Sequence, residues 1–231
     1  MKIGIDVMGG DYAPESTLEG AILAQKRVPE SDRIFLFGPE DTIVDKLEGK
    51  GIDSSRFTIV HSPDIIGMGD RPIKAITQKP ESSISMGFKY LKHKEIDAFS
   101  SAGNSGATMV GAMYSVNNIN GVIRPSTLTT VPKENGGMNV MLDIGTNPDI
   151  KPDILYQFAI LGSIYSKYVL NVKNPKVGLL NIGEEDEKGN LLCQSAFRLM
   201  KGSEDFNFYG NVEGRDLFDD KADVIVCDGF T

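Results

Sequence analysis

Short apolar runs alternate with amphipathic stretches along the whole chain. Runs at residues 2–6, 33–38, 57–61, 97–100, 128–131, 139–143, 176–181 and 223–227 read as strands, rich in β-branched and aromatic side chains and bounded by Gly, Asn, Asp or Ser. Helical periodicity fills the gaps at 16–27, 41–50, 82–92, 105–116, 152–168 and 191–201. The first of these helices is expected to open with Ser16 and Glu19 in capping-box spacing. Strands that read as continuous apolar runs are covered on both faces, and strand–helix alternation implies parallel pairing. The expected fold is therefore α/β, three-layered, around a largely parallel sheet. No repeat, low-complexity tract or linker divides the chain, so residues 1–231 read as a single domain.

Ligands of such folds sit beyond the carboxyl ends of the strands. Five of these ends carry polar, glycine-rich turns. Asp6 is followed by Met8, Gly9, Gly10 and Asp11, and Ser100 by Ser101, Ala102, Gly103, Asn104, Ser105 and Gly106. Leu142 leads into Asp143, Gly145, Thr146 and Asn147, Leu180 into Asn181, Gly183 and Glu184, and Val226 into Cys227, Asp228 and Gly229. The pattern predicts one crevice assembled from several loops.

Composition narrows the partners. Lys and Arg total 24 against 32 Asp and Glu, a net charge of −8, which disfavours any role that tracks a nucleic-acid backbone. Two cysteines, Cys193 and Cys227, are too few for a disulfide framework and indicate a reducing compartment. The N-terminal apolar run is too short for a signal peptide, and no stretch approaches the ~20 apolar residues of a spanning helix, so the expected location is cytoplasmic.

The turn at 101–107 carries the clearest chemistry. Small residues there let backbone N–H groups face outward at a helix start, and Ser101, Asn104 and Ser105 add neutral donors, so an oxyanion or phosphate is the natural guest. The bland alternative is a tight strand–helix turn in which Ser105 is the cap. Neither a P-loop nor a dinucleotide fingerprint occurs; Pro72 stands where the run beginning Gly67, Met68, Gly69 would need its third glycine. Arg71 and Lys79 are cations ahead of a helix, suited to close over an anion, whereas Lys74 reads as solvated. Glu184, Glu185, Asp186 and Glu187 form either an exposed charged loop or, with Asp143 or Asp228, an oxygen site for a divalent ion. Lys188, just before Gly189 and Asn190, is placed to polarise a carbonyl or hold a phosphate. Asn211, Glu213, Arg215 and Asp216 form a further polar set, or a turn held by an ion pair. His61 and His93 stand apart and neither cysteine has a nearby histidine, so no nucleophile triad is evident and an acyl-transfer nucleophile would arrive with the substrate.

Taken in order, these loops resemble the bacterial phosphate acyltransferases, which convert acyl–acyl carrier protein and phosphate to acyl phosphate for phospholipid synthesis. The matching stretches are 6–14, 101–107, Arg124 with Pro125, 143–147, 177–185 with Lys188, Gly189 and Asn190, 210–216 and 223–231. Val7, Ser105 and Thr146 replace the family's usual Ala, Thr and Ala. Family chains continue past the Asp-Gly-Phe-Thr stretch with Gly-Asn and further helices used for membrane association and dimer contact. On that reading the present chain is partial. The resemblance implies a fold of the phosphotransacetylase and isopropylmalate dehydrogenase kind, a homodimer, no cofactor and no metal. It also implies the acylated carrier protein and inorganic phosphate as partners, and a membrane glycerol-3-phosphate acyltransferase downstream. Lys188, Asn181 and Asn147 would be catalytic. Gly10, Asp11, Arg71, Lys79, Ser101, Gly103, Asn104, Ser105, Gly106, Asp143, Glu184, Arg215 and Asp228 would bind phosphate or substrate. Carrier proteins are acidic, so docking needs a local basic patch, for which Lys89, Lys92 and Lys94 are the densest candidate. Competing readings are a phosphotransacetylase or phosphotransbutyrylase using acyl-coenzyme A, a metal-dependent decarboxylating dehydrogenase with ligands Asp143, Glu184 and Glu185, and a non-catalytic relative that only binds the carrier or a membrane.

Overall fold

The computed structural model describes residues 1–230, which form two compact units, 1–117 and 118 onward. The architecture is α/β with mostly parallel strands in three layers, but the strands form two sheets where one was expected. Residue 117 also marks a division that composition did not reveal.

The first unit holds strands β1 (Lys2–Asp6), β2 (Arg33–Gly38), β3 (Thr58–His61) and β4 (Ala98–Ser100), ordered β3-β2-β1-β4 and all parallel. Its helices are α1 (Glu15–Gln25), α2 (Glu40–Gly49), α3 (Pro72–Gln78), α4 (Ser83–Lys92) and α5 (Ser105–Ser115). The period-two geometry of β2 explains the layering. Ile34 and Leu36 pack with Leu18, Ala21, Ile43 and Leu47 of α1 and α2. Phe35 and Phe37 point the other way, edge-on to Tyr90 of α4, and Phe37 also meets Phe99 of β4. Burial on both faces is why β2 reads as an unbroken apolar run.

The second unit holds β5 (Leu128–Pro132), β6 (Met138–Leu142), β7 (Lys176–Leu180), β8 (Asn207–Val212) and β9 (Val224–Val226), with α6 (Pro152–Tyr168) and α7 (Leu191–Met200). The order is β5-β6-β9-β7-β8; only the edge strand β5 is antiparallel, joined to β6 by the turn through Gly136. Val140, Leu142, Val177, Leu179, Val224 and Val226 face α6 and α7, where Phe158 and Met200 are fully buried. The opposite face is covered by Leu217, from the 3-10 turn Gly214–Phe218, and by Ala222.

Two elements escaped the periodicity. β8 is an edge strand broken by Gly210 at φ +130°, and α3 is a seven-residue helix confined between Pro72 and Pro80. The capping box expected at Ser16 and Glu19 does not form. α1 starts one residue earlier behind Pro14, and the Thr17 hydroxyl donates to the Val7 and Pro14 carbonyls instead.

Candidate active site

In the first unit the ends of β1 and β4 build one polar cluster. Asp6, 1% exposed, accepts the Met8 N–H at 3.1 Å on Oδ1 and the Ser101 hydroxyl at 2.7 Å on Oδ2. Ser101 Oγ in turn accepts the Gly103 N–H at 3.0 Å. Gly9 makes this closeness possible, since a Cβ there would lie 2.4 Å from Asp6 Oδ2 and 2.7 Å from Gly103 N. Asn104, not Ser105, caps α5: its Oδ1 accepts the Ala107 N–H at 2.9 Å. The same side chain donates to the Gly67, Met68 and Asp70 carbonyls at 2.9–3.2 Å, which ties loop 67–70 to the helix start. Among the described residues the N–H groups of Ser105 and Gly106 have no hydrogen-bond partner and are free to meet an anion. Lys79 is engaged, donating 2.7 Å hydrogen bonds to Asp70 Oδ2 and the Ile65 carbonyl. Arg71 and Asp11 are exposed, and Gly10 sits at φ +108°.

In the second unit Asp143 is a buried hub, with Oδ1 accepting the Thr127 N–H at 3.0 Å and Oδ2 accepting both N–H groups of Asn147, at 2.6 Å from the backbone and 2.8 Å from the side chain. Beyond β7, Asn181 Nδ2 donates to the Lys188 carbonyl at 3.0 Å and to Asn211 Oδ1 at 3.1 Å. Gly189, at φ +86°, allows this turn; a Cβ would stand 2.2 Å from Asn181 Oδ1. The Lys188 ammonium is half-exposed and 3.8 Å from Glu185 Oε2.

The family model described as fatty acid synthesis protein matches residues 1–231. A phosphate acyltransferase from Dictyoglomus turgidum is 46% identical over 230 residues, spanning 100% of this chain and 68% of that protein. One from Bacillus subtilis is 42% identical over 231 residues, with 100% and 68% covered. The chain belongs to the phosphate acyltransferase family. Its fold is that of a phosphotransacetylase from Streptococcus pyogenes (TM-score 0.67, 15% identity, 99% of this chain and 78% of that one). A branched-chain phosphotransacylase from Enterococcus faecalis has the same fold (TM-score 0.62, 12% identity, 98% and 79%).

Family membership makes the chain an acyltransferase, and its polar groups divide into those that hold loops and those left free. Ser101, Asn104, Asn147, Asn181 and Asp143 are engaged with protein groups and shape their turns. Asp228 accepts the Phe230 N–H at 2.9 Å. Lys188 and the N–H groups of Ser105 and Gly106 remain available. The carboxylate run joins neither Asp143 nor Asp228. Instead Glu184 gathers with Glu213 and Asp216, their oxygens within 4.8 Å of one another. Lys221 bridges Glu184 and Asp216 at 2.6 and 2.8 Å, and Arg215 pairs with Glu213, so the acyltransferase neutralises this cluster with its own cations. The polar set at 211–216 is thus a turn held by ion pairs, closed by a reciprocal Glu213–Asp216 capping box. Sequence reasoning missed Asp6, Asp70 and Lys221 as organising groups; the position of Asp6 at a strand's carboxyl end was the one signal available for them. Burial pushes the Cys227 thiol up to about 12, with the charges of Asp228 and Asp143 adding to it, and burial raises Cys193 too, so neither is a ready nucleophile.

Burial also pushes the Asp216 carboxyl up, but hydrogen bonds from Lys221 and the Glu213 N–H, with the charges of Lys221 and Arg215, outweigh it and hold the group below its usual value. A lowered carboxylate stabilises the fold above its unfolded pKa and loses that contribution as pH falls through the folded value. The stability gap between wild type and Asp216→Asn, measured by denaturant unfolding, is expected to be full at neutral pH and to shrink below about pH 4. A gap constant down to pH 3 would show that the charge contributes nothing.

Proposed function

We propose that the chain transfers an acyl group from an acyl carrier protein thioester to inorganic phosphate, giving acyl phosphate and the free carrier thiol. Phosphate enters as its own nucleophile: one oxygen of hydrogen phosphate attacks the thioester carbonyl, the C–O bond forms, the C–S bond breaks with the electron pair leaving on sulfur, and the proton that hydrogen phosphate gives up ends on the thiol. The single observation that carries this reading is the turn at 101–106, where a family acyltransferase presents two unpartnered N–H groups at a helix start. Arg71, exposed and in no ion pair among the described residues, is assigned as a cation for the phosphate. Lys188 is assigned to the carbonyl oxygen as negative charge develops there, while Asn181 and Asn147 act by holding the loops. Gly10, Asp11 and Gly103 complete the proposed substrate-binding set around that turn. The protein is proposed to act as a homodimer, without a cofactor, in the cytoplasm or at the membrane surface, and to pass its product to a membrane acyltransferase that uses glycerol 3-phosphate. No helix among the described residues is long and apolar enough to cross a membrane.

The test is acyl phosphate formation by the intact protein, trapped with hydroxylamine, from long-chain acyl carrier protein and phosphate against short-chain acyl-coenzyme A and phosphate. Turnover on the carrier substrate supports the proposal; turnover on acyl-coenzyme A alone would reassign the chain to the phosphotransacetylase reaction. Ser105→Pro serves as a probe of the anion turn. Position 105 is the first residue of α5, where proline is tolerated, and Asn104 already has the extended conformation (ψ 107°) that a following proline requires. Loss of one donor to an anion is expected to raise the KM for phosphate tenfold or more while kcat changes little.

A further inference from the structure

The candidate patch of Lys89, Lys92 and Lys94 lies at the wrong end of its sheet. Helix α4 runs into β4 from the strand-start side, where the Lys2 N–H donates to Asp97 at 2.7 Å. β1 and β4 are parallel and both finish at the Asp6–Ser101 cluster. The length of β1, roughly 16 Å, therefore separates those lysines from the anion turn.

A second cationic surface stands beside that turn. Arg71 and Lys74 are one helical turn apart and, with Gly69, Asp70, Gln78 and Lys79, line a depression of about 330 Å³. Lys79 is paired with Asp70, whereas Arg71 and Lys74 have no ion-pair partner among the described residues. Bare apolar groups are interleaved with them: Met68 is 54% exposed and Ile73 61%. Exposed apolar side chains flanked by free cations match an acidic amphipathic helix, which would cover the former and neutralise the latter. The surface is also rigidly joined to the anion turn. Asn104 holds the Gly67, Met68 and Asp70 carbonyls, and Pro72 packs against Gly106 so closely that a Cβ at 106 would lie 2.5 Å from the proline ring.

We infer that Met68, Ile73 and Lys74, next to Arg71, dock the acidic carrier protein that delivers the thioester. The inference rests on the carrier-dependent reading of the reaction, and it names the surface that reading lacks. On a chain of net charge −8, an acidic partner is repelled at long range, so a local patch of opposite sign decides where it settles.

The test uses the intact protein with Lys74→Glu and, separately, Ile73→Ser, neither of which hydrogen-bonds to the anion turn, and Lys92→Glu as the comparison at the opposite end of the sheet. Carrier-protein affinity is measured directly as a function of salt, and turnover is measured with acyl carrier protein and with a carrier-free acyl-pantetheine thioester. Expected are an affinity and KM for the carrier about tenfold weaker in Lys74→Glu, a shallower salt dependence, unchanged turnover of the carrier-free thioester, and wild-type behaviour of Lys92→Glu. Wild-type carrier affinity in both α3 variants, an equal loss in Lys92→Glu, or an equal loss on the carrier-free substrate would overturn the docking assignment. Failure of the underlying reading looks different: salt-dependent carrier binding sensitive to Lys74→Glu without acyl phosphate formation upholds the docking surface and removes the proposed reaction.

Discussion

Replacement of Lys188 by alanine is expected to lower kcat for acyl phosphate formation by a hundredfold or more and to leave the KM for phosphate within about twofold. A well-placed donor to a developing oxyanion contributes roughly 3–4 kcal/mol to the transition state, and little before charge appears. The backbone of Lys188 is fixed at three points: its N–H donates to the Glu185 carbonyl at 3.0 Å, its carbonyl accepts from Asn181, and Gly189 follows in a conformation few other residues adopt. The side chain, by contrast, is free. At 3.8 Å the exposed Glu185 carboxylate is beyond hydrogen-bond reach, so the pair contributes little and releases the ammonium at small cost. A fixed backbone with a free ammonium is what a catalytic cation needs, and it also means that the substitution should not unfold the protein. Lys188→Met keeps the stem and removes the charge, and should be as slow as the alanine variant. Wild-type kcat in either variant, with the melting temperature unchanged, would take Lys188 out of the mechanism.

Much of the frame was legible because it rests on local rules. The strand at 33–38 declares burial on both faces through an unbroken run of apolar residues, and α1 and α4 then supply the two coverings. The turns at strand ends were legible for the same reason: Gly, Asn, Asp and Ser cluster where an extended chain must reverse into a helix. What stayed hidden is which polar groups are already engaged. Ser101 and Asn104 look alike as donors facing a ligand. The first is held by Asp6, 95 residues away, and the second by loop 67–70, so that backbone amides rather than side chains are left for an anion. Lys221 shows the same limit from the other side: nothing in its local sequence marks it, yet it holds Glu184 and Asp216 together. Partnerships of this kind are set by the folded geometry, whereas periodicity reports only the residues within one element. The division into two sheets was hidden likewise, because the connection at residue 117 carries no linker composition.

The largest stability effect is expected at Asp143. Alanine there should cost roughly 3–5 kcal/mol in denaturant unfolding, since three donors lose their acceptor in a site from which water is excluded. The donors belong to different segments. Thr127 precedes β5, and Asn147 lies in the turn after β6, from which its amide also reaches the Pro125 carbonyl at 2.8 Å. The Asn147 carbonyl then accepts the Gly229 N–H at 3.1 Å, and the Cys227 thiol contacts the Asp143 carbonyl at 3.2 Å. Removing one carboxylate thus loosens the chain on both sides of β6 and its junction with the residues after β9. Asparagine is the informative companion variant. It preserves shape and can still accept on one side, but its NH₂ must face an N–H on the other, so its cost should fall between wild type and alanine. Should Asp143→Ala unfold within 1 kcal/mol of wild type, the carboxylate is not what holds this turn, and the unassigned role left for it would be contact with substrate.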